Sequence, residues 1–201
     1  MSFTFEALTG DALEQALPDL ARLRITVFRE WPYLYDGSMD YEERYLADFA
    51  KSEGSVIVAA RDGDRIIGAA TAAPLRGHTD SFVPLFEHHG YDPDRVFYFG
   101  ESVLMREYRG KGIGHAFFDW RENHAKKTLG PKGPYEYTAF CAVIRPDNHP
   151  LKPADYRPLD AFWTKRGYRK VDGMIGKLSW KDIDQPDETE KPMQFWIRRL
   201  S

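Results

Sequence analysis

The sequence predicts a single domain, α+β or α/β, built on a mixed sheet, and three observations carry that reading. The chain has 201 residues, 42% of them hydrophobic and 29% charged, enough for one substantial domain with a real core. Strand-like runs bracket helix-like runs along the whole length. The sequence holds no internal repeat and no low-complexity linker, so one domain over residues 1–201 is expected.

The elements follow in order. SFTFEAL, near the start, alternates as a first strand does. Asp11 is placed to cap a helix carrying Leu13, Leu17, Leu20, Leu23 and Val27 on one face. Pro18 is expected to kink or split that helix. WPYLYDGSMD reads as a loop, and Asp40 opens a second, shorter helix. Two β-branched runs flank Asp62-Gly63-Asp64, which predicts a hairpin. Residues 76–94 are a long polar insertion with helical character around FVPLFEHHG, long enough to act as a lid. RVFYFGESVLM is a strand. The helix after it should face Ile113, Ala116, Phe117, Trp120 and His124 inward. YEYTAFCAVIRP is another strand, and RPLDAFWTKRG a short helix ended by Gly167. Two closing strands follow. The last, KPMQFWIRRL, either completes its own sheet or exchanges with a second copy in a homodimer.

Composition excludes several classes. A net charge of −3 and a pI near 6.1 argue against a dedicated nucleic-acid binder. The lone cysteine, Cys141, allows no intrachain disulfide and reads as a buried strand residue in a reducing compartment. The first ten residues lack the basic and apolar regions of a secretory leader, and no run reaches the roughly 20 apolar residues of a membrane span. A cytoplasmic protein without membrane attachment is expected. His78, His88 and His89 fall in the insertion, but no ligand set with metal spacing completes them, so no metal is expected.

REYRGKGIG, residues 106–114, stands between a strand and a helix. The first N–H groups of a helix lack internal partners, and its dipole adds positive potential there. Glycines let those donors approach an anion, and Arg109 and Lys111 add charge. An ATP-type phosphate loop needs Ser or Thr after its lysine, but Gly112 follows Lys111. A dinucleotide fingerprint needs a glycine where Phe117 stands.

Arg109, Gly112 and Gly114 do satisfy Arg-x-x-Gly-x-Gly, and SVLMREYRGKGIGHAFFDW resembles the acetyl-CoA motif of the GNAT N-acetyltransferase superfamily. AFWTKRGYRK is similar to that family's late helix and turn at Phe162, Lys165, Gly167 and Tyr168. The resemblance spans nearly the whole chain and is densest from Val96 to Leu178. It implies an α+β fold with a mixed, mostly antiparallel sheet flanked by helices. It implies acetyl-CoA as co-substrate, with backbone of a splayed strand at Ser102, Val103 and Leu104 serving the pantetheine arm. The loop Arg109, Gly110, Lys111, Gly112, Ile113 and Gly114 would then cradle the pyrophosphate.

Acetyl transfer to an amine needs a proton acceptor, donors for the developing oxyanion and a leaving thiolate. Glu101 is the candidate base, since the family often carries an acid near that place. The bland alternative is a strand carboxylate paired with an arginine. The family often supplies a tyrosine where Trp163 stands here, and Trp163 cannot give up a proton at neutral pH. Trp163 is expected along the pantetheine arm or in the core, and Asn148 at the family's early asparagine. Trp31, Tyr33 and Tyr35, with Asp36, Asp40, Glu42 and Glu43, could receive a cationic amine. Equally, they could pin a loop and form a solvated face. The readings are therefore an N-acetyltransferase acting on a small primary amine, a non-catalytic acyl-CoA sensor, or a protein lysine or N-terminal acetyltransferase.

Overall fold

The computed structural model describes residues 2–200. Strand β1 (Thr4–Ala7) leads into α1 (Gly10–Phe28) and α2 (Met39–Lys51). The hairpin β2 (Val56–Asp62) and β3 (Arg65–Pro74) turns at Gly63, whose φ is +58°. The chain continues through α3 (Val83–His88), β4 (Val96–Leu104) and α4 (Ile113–Lys127). A two-stranded ribbon, β5 (Leu129–Gly130) and β6 (Gly133–Pro134), precedes β7 (Tyr137–Val143) and α5 (Asp160–Lys165). The long strands β8 (Arg169–Lys181) and β9 (Glu188–Arg199) close the fold.

The seven-stranded sheet runs β1-β2-β3-β4-β7-β9-β8. Only β4 and β7 pair in parallel; the other neighbours are antiparallel. The last strand lies between β7 and β8 of its own chain, which is the first of the two placements open to it. One core lies beneath α1 and α2, where Leu13, Leu20, Leu46 and Phe49 meet Ile57, Ala69, Ala73 and Val103. A second lies under α4, where Ile113, Phe117 and Phe118 meet Phe97, Phe99 and Phe140. A third joins Phe82 and Phe86 to Tyr98, Met193 and Phe195.

Five expectations change. Helix α1 runs unbroken through Pro18 and begins after Thr9 rather than Asp11; Pro18 falls on a half-buried position and the leucine face carries the helix across it. Helix α2 begins after Ser38, not Asp40. The β5–β6 ribbon was not foreseen, because two-residue strands carry no periodicity. The 76–94 insertion is anchored rather than a loose loop: it folds as α3 with flanking turns, and Phe82 and Phe86 pack edge-on against Phe195 at 5.0 and 5.2 Å. Finally, the inner face of α4 carries Ile113, Phe117, Phe118, Arg121, Glu122 and Ala125, while Trp120 is 38% exposed.

Candidate functional site

The site begins with an irregularity in β4. Ala72 pairs with Phe99 and Ala70 with Ser102, so Thr71 alone stands opposite Gly100 and Glu101. The one extra residue on β4 forms a bulge, which bends the strand and re-aims its side chains. Gly100 is required here, since a Cβ would sit 2.6 Å from Thr71 Oγ1. The Glu101 N–H donates to that same hydroxyl at 3.2 Å.

Past the bulge β4 loses its parallel neighbour. Its register with β7 covers only Val96–Tyr98 against Tyr137–Ala139, while β7 stays paired with β9 to Val143. A gap therefore opens between the two strands. In a strand, alternate residues present their N–H and C=O groups to opposite sides. Those of β4 that face the gap have no ladder partner there. Ser102 is exposed, Leu104 packs toward the α4 side, and Val103 is fully buried beneath α1. Val103 can thus offer only backbone to the gap.

Residues 106–108 make one 3-10 turn, and the glycine-rich loop follows. Gly110 and Gly112 adopt left-handed φ of +77° and +85°. No side chain caps α4 at Gly112, so its first N–H groups are left to face solvent or a ligand. Ile113 itself is buried, and its contribution is likewise backbone. Lys111 Nζ lies 5.0 Å from the Tyr108 ring centroid. Arg109 donates to the Leu104 carbonyl at 3.2 Å and to Glu30 at 2.9 Å.

On the opposite face of β4 the Glu101 carboxylate is almost wholly buried. It pairs with Arg24 of α1, which also pairs with Glu42 of α2. Tyr45 of α2 reaches Glu101 by a long 3.5 Å contact, and its ring lies 4.6 Å from the Arg24 guanidinium carbon. Burial opposes charge on Arg24, but Glu101, Tyr45 and Glu42 outweigh it and hold the guanidinium well above its usual range. Burial, then the charge of Glu101, raises the Tyr45 phenol. Two carboxylates share one guanidinium here.

The loop after α1 is held from behind. Arg145 donates to the Pro32 carbonyl at 2.7 Å, to the Tyr33 carbonyl at 2.6 Å, and in two bonds to the fully buried Asp182. Burial of Asp182 opposes its ionisation, yet Arg145 and Lys191 hold its carboxyl below the ordinary range. Tyr33 and Tyr35 pack against the third core, with Tyr33 4.9 Å from Phe28 and 5.7 Å from Trp180. Trp31 instead meets His149 at 5.0 Å and Tyr156 at 6.0 Å, and its buried indole N–H has no acceptor among the described residues.

Residues 20–168 match the model of the acetyltransferase (GNAT) family. The chain belongs to the GNAT acetyltransferase family. Members of this family typically use acetyl-CoA as acyl donor. The fold resembles an N-acetyltransferase from Staphylococcus aureus at TM-score 0.62, with 13% identity over 100% of this chain and 99% of that one. It also resembles a ribosomal-protein-alanine N-acetyltransferase from Brucella melitensis, at TM-score 0.61 and 13% identity, over 98% and 99%. An acetyltransferase from Thermus thermophilus aligns at TM-score 0.58 and 12% identity, over 100% and 98%. No curated protein matches the chain by sequence.

Within this GNAT fold the expected residues divide. The bulge and the glycine-rich loop bring Glu101, Val103, Leu104 and residues 109–114 to one end of β4. Trp163 packs beside the gap on Phe140 at 5.0 Å and on Trp196 at 5.2 Å. Asn148 lies on an exposed turn next to His149, on the Trp31 side. Cys141 is buried, 3.2 Å from the Tyr98 hydroxyl, with its thiol pushed up to about 12 by burial. His78 packs edge-on against Phe49 at 4.5 Å, and burial lowers its basicity. Among the described residues no group of three His, Cys, Asp or Glu is arranged to hold a metal, and no helix is long and apolar enough to cross a membrane. Sequence reasoning missed Arg24, Arg121, Arg145 and Asp182. Arg24 alone carried a clear signal, a charge amid apolar neighbours in LARLRIT.

Proposed function

We propose that this protein transfers an acetyl group from acetyl-CoA to a primary amine of a small molecule, by direct attack in a ternary complex. The carrying observation is the bulged end of β4, where an unpaired strand edge, an uncapped glycine-rich helix start and a buried carboxylate converge. Acetyl-CoA would lay its pyrophosphate on residues 109–114 and its pantetheine arm along the backbone of Ser102–Leu104. Free β4 N–H groups would then face the thioester carbonyl.

The acceptor would enter from the side of Trp31, with its unpaired indole donor. Two carboxylates, Glu42 and Glu101, set about the one guanidinium of Arg24 suit an ammonium group. Glu101 receives the proton the amine must lose, directly or through one water. The nitrogen lone pair attacks the carbonyl carbon, the C–N bond forms and the C–S bond breaks; the leaving CoA thiolate takes up the second proton that the nitrogen sheds, giving the amide and free thiol. Pairing with Arg24 fixes where the Glu101 carboxylate stands. Tyr45 is the adjacent hydroxyl.

Following free thiol with acetyl-CoA and an amine panel tests the reading. Glu101→Gln should lower kcat by about 100- to 1,000-fold while acetyl-CoA binding, read by calorimetry, is unchanged. A second reading, an acyl-CoA sensor, draws on Trp163, which fills the tyrosine position with an aromatic stack. Tight acetyl-CoA binding with no thiol release across the panel would favour it.

A further inference from the structure

Arg121 is the largest fully buried side chain in the protein, at 2% exposure. It projects from α4, and among the described residues it has no carboxylate within ion-pair distance. Burying an arginine without such a partner is costly, so its position needs a reason. Its hydrogen bonds supply one. Nε donates to the Phe117 carbonyl at 3.1 Å, one turn back along α4. Nη1 donates to the Thr71 carbonyl at 3.3 Å and to the Glu101 carbonyl at 3.1 Å. Thr71 and Glu101 are the residues that face each other across the bulge, where strand pairing slips by one residue. The guanidinium carbon lies 4.3 Å from the Phe99 ring centroid and 5.0 Å from that of Phe118, which fixes the plane of the group.

A bulge leaves backbone groups outside the ladder, and a buried carbonyl without a donor costs about as much as a lost hydrogen bond. One nitrogen of Arg121 meets both such carbonyls. We propose that Arg121 is a positioning residue for acyl transfer: by holding the Thr71 and Glu101 carbonyls it fixes the bulge, and thereby the direction of the Glu101 carboxylate and of the β4 N–H groups beyond it. This rests on the reading of the β4–β7 gap as the acyl-CoA site. Burial lowers the basicity of the guanidinium to about 10, and it still carries its charge at neutral pH. Lysine would keep the charge but lose the planar fork that reaches Phe117 and the bulge together.

The test compares wild type, Arg121→Lys and Arg121→Met in the thiol-release assay, well below each variant's Tm. Arg121→Met should lower kcat by about 30- to 100-fold and change the acetyl-CoA KM by less than about threefold, as expected for a group that orients the reacting atoms. Arg121→Lys should recover part of that loss. A kcat that merely follows the folded fraction on cooling would make Arg121 structural only and overturn the inference. If the methionine variant does not fold, the lysine variant decides alone: a loss of about tenfold in kcat with a near-native Tm supports positioning, and an unchanged kcat overturns it. Failure of wild type to bind acetyl-CoA or release thiol would remove the acyl-CoA reading itself, and the inference with it.

Discussion

The two flanks of β4 solve different problems with different materials. On one flank, residues 109–112 form an exposed loop that runs straight into the uncapped first turn of α4. Its chemistry is local: two left-handed glycines, an uncapped helix start and two basic side chains follow one another in the chain. On the other flank, Arg24, Glu42, Tyr45 and Glu101 come from three elements and meet only when α1 and α2 dock on the sheet. That flank is buried, and its charges are set against each other. The first kind of site tolerates loss of a side chain but not of backbone freedom. The second tolerates little change in any member, because each charge leaves its partner exposed to a low-dielectric interior.

The largest expected effect follows from that difference. Arg24→Met leaves Glu42 and Glu101 together with no cation, and should cost about 3–5 kcal/mol of stability, as broken buried pairs do. Urea denaturation measures it. Adding Glu42→Leu to that variant removes one uncompensated carboxylate and should restore part of the loss, even though it deletes a second native residue. If Arg24→Met costs under about 1 kcal/mol, in the range of a solvated surface pair, the two flanks do not differ in the way described.

On the loop flank the effect is smaller and of another kind. Nothing lies within 4 Å of a Cβ built on Gly112, so space is free and only φ opposes a side chain. Gly112→Ala should therefore cost about 1–2 kcal/mol through the left-handed conformation alone. It should also raise the acetyl-CoA KM by roughly tenfold, equivalent to about 1.4 kcal/mol, with kcat little changed. A variant as stable as wild type would mean that the loop relaxes out of the left-handed region at no cost.

The same contrast explains what the sequence made legible. The strand–loop–helix motif is a run of neighbours, so that run, with the second segment at Phe162–Tyr168, was enough to place it and the family that carries it. The order of strands and helices was equally legible, because periodicity is local. The face of α4 was misjudged at Trp120 and Arg121. Pattern reading sends tryptophan inward and arginine outward, and here the bulge's carbonyls reverse that preference. Glu42 was read with its acidic neighbours as an open patch, yet it is completely buried. Its partner, Arg24, lies eighteen residues away. Tyr33 and Tyr35 were grouped with Trp31 as aromatics of one loop, yet they pack on the third core while Trp31 meets His149 and Tyr156. Long-range partners decide such cases, and no window of sequence contains both halves of the pair.

One contact joins the two flanks, and it offers the smallest effect. Arg109 of the loop pairs with Glu30, and the two side chains are 41% and 35% exposed. Glu30 also accepts the Tyr33 and Leu34 N–H groups on its own carbonyl, each at 3.1 Å, and so begins the loop that carries Trp31. An exposed pair of this kind is worth about 0–1 kcal/mol, whereas a guanidinium on a phosphate makes a stronger, charge-assisted bond. Arg109 should therefore exchange Glu30 for pyrophosphate when acetyl-CoA binds. Glu30→Gln removes the competitor and should lower the acetyl-CoA KM by about two- to fivefold at low salt. The difference should shrink at about 1 M salt, where the screening length falls to about 3 Å. Arg109→Ala should move the KM the other way. If Glu30→Gln also shifts the amine KM, the exchange links donor binding to the acceptor loop. If neither variant changes the acetyl-CoA KM, Arg109 does not meet the pyrophosphate, and the two flanks work without this contact.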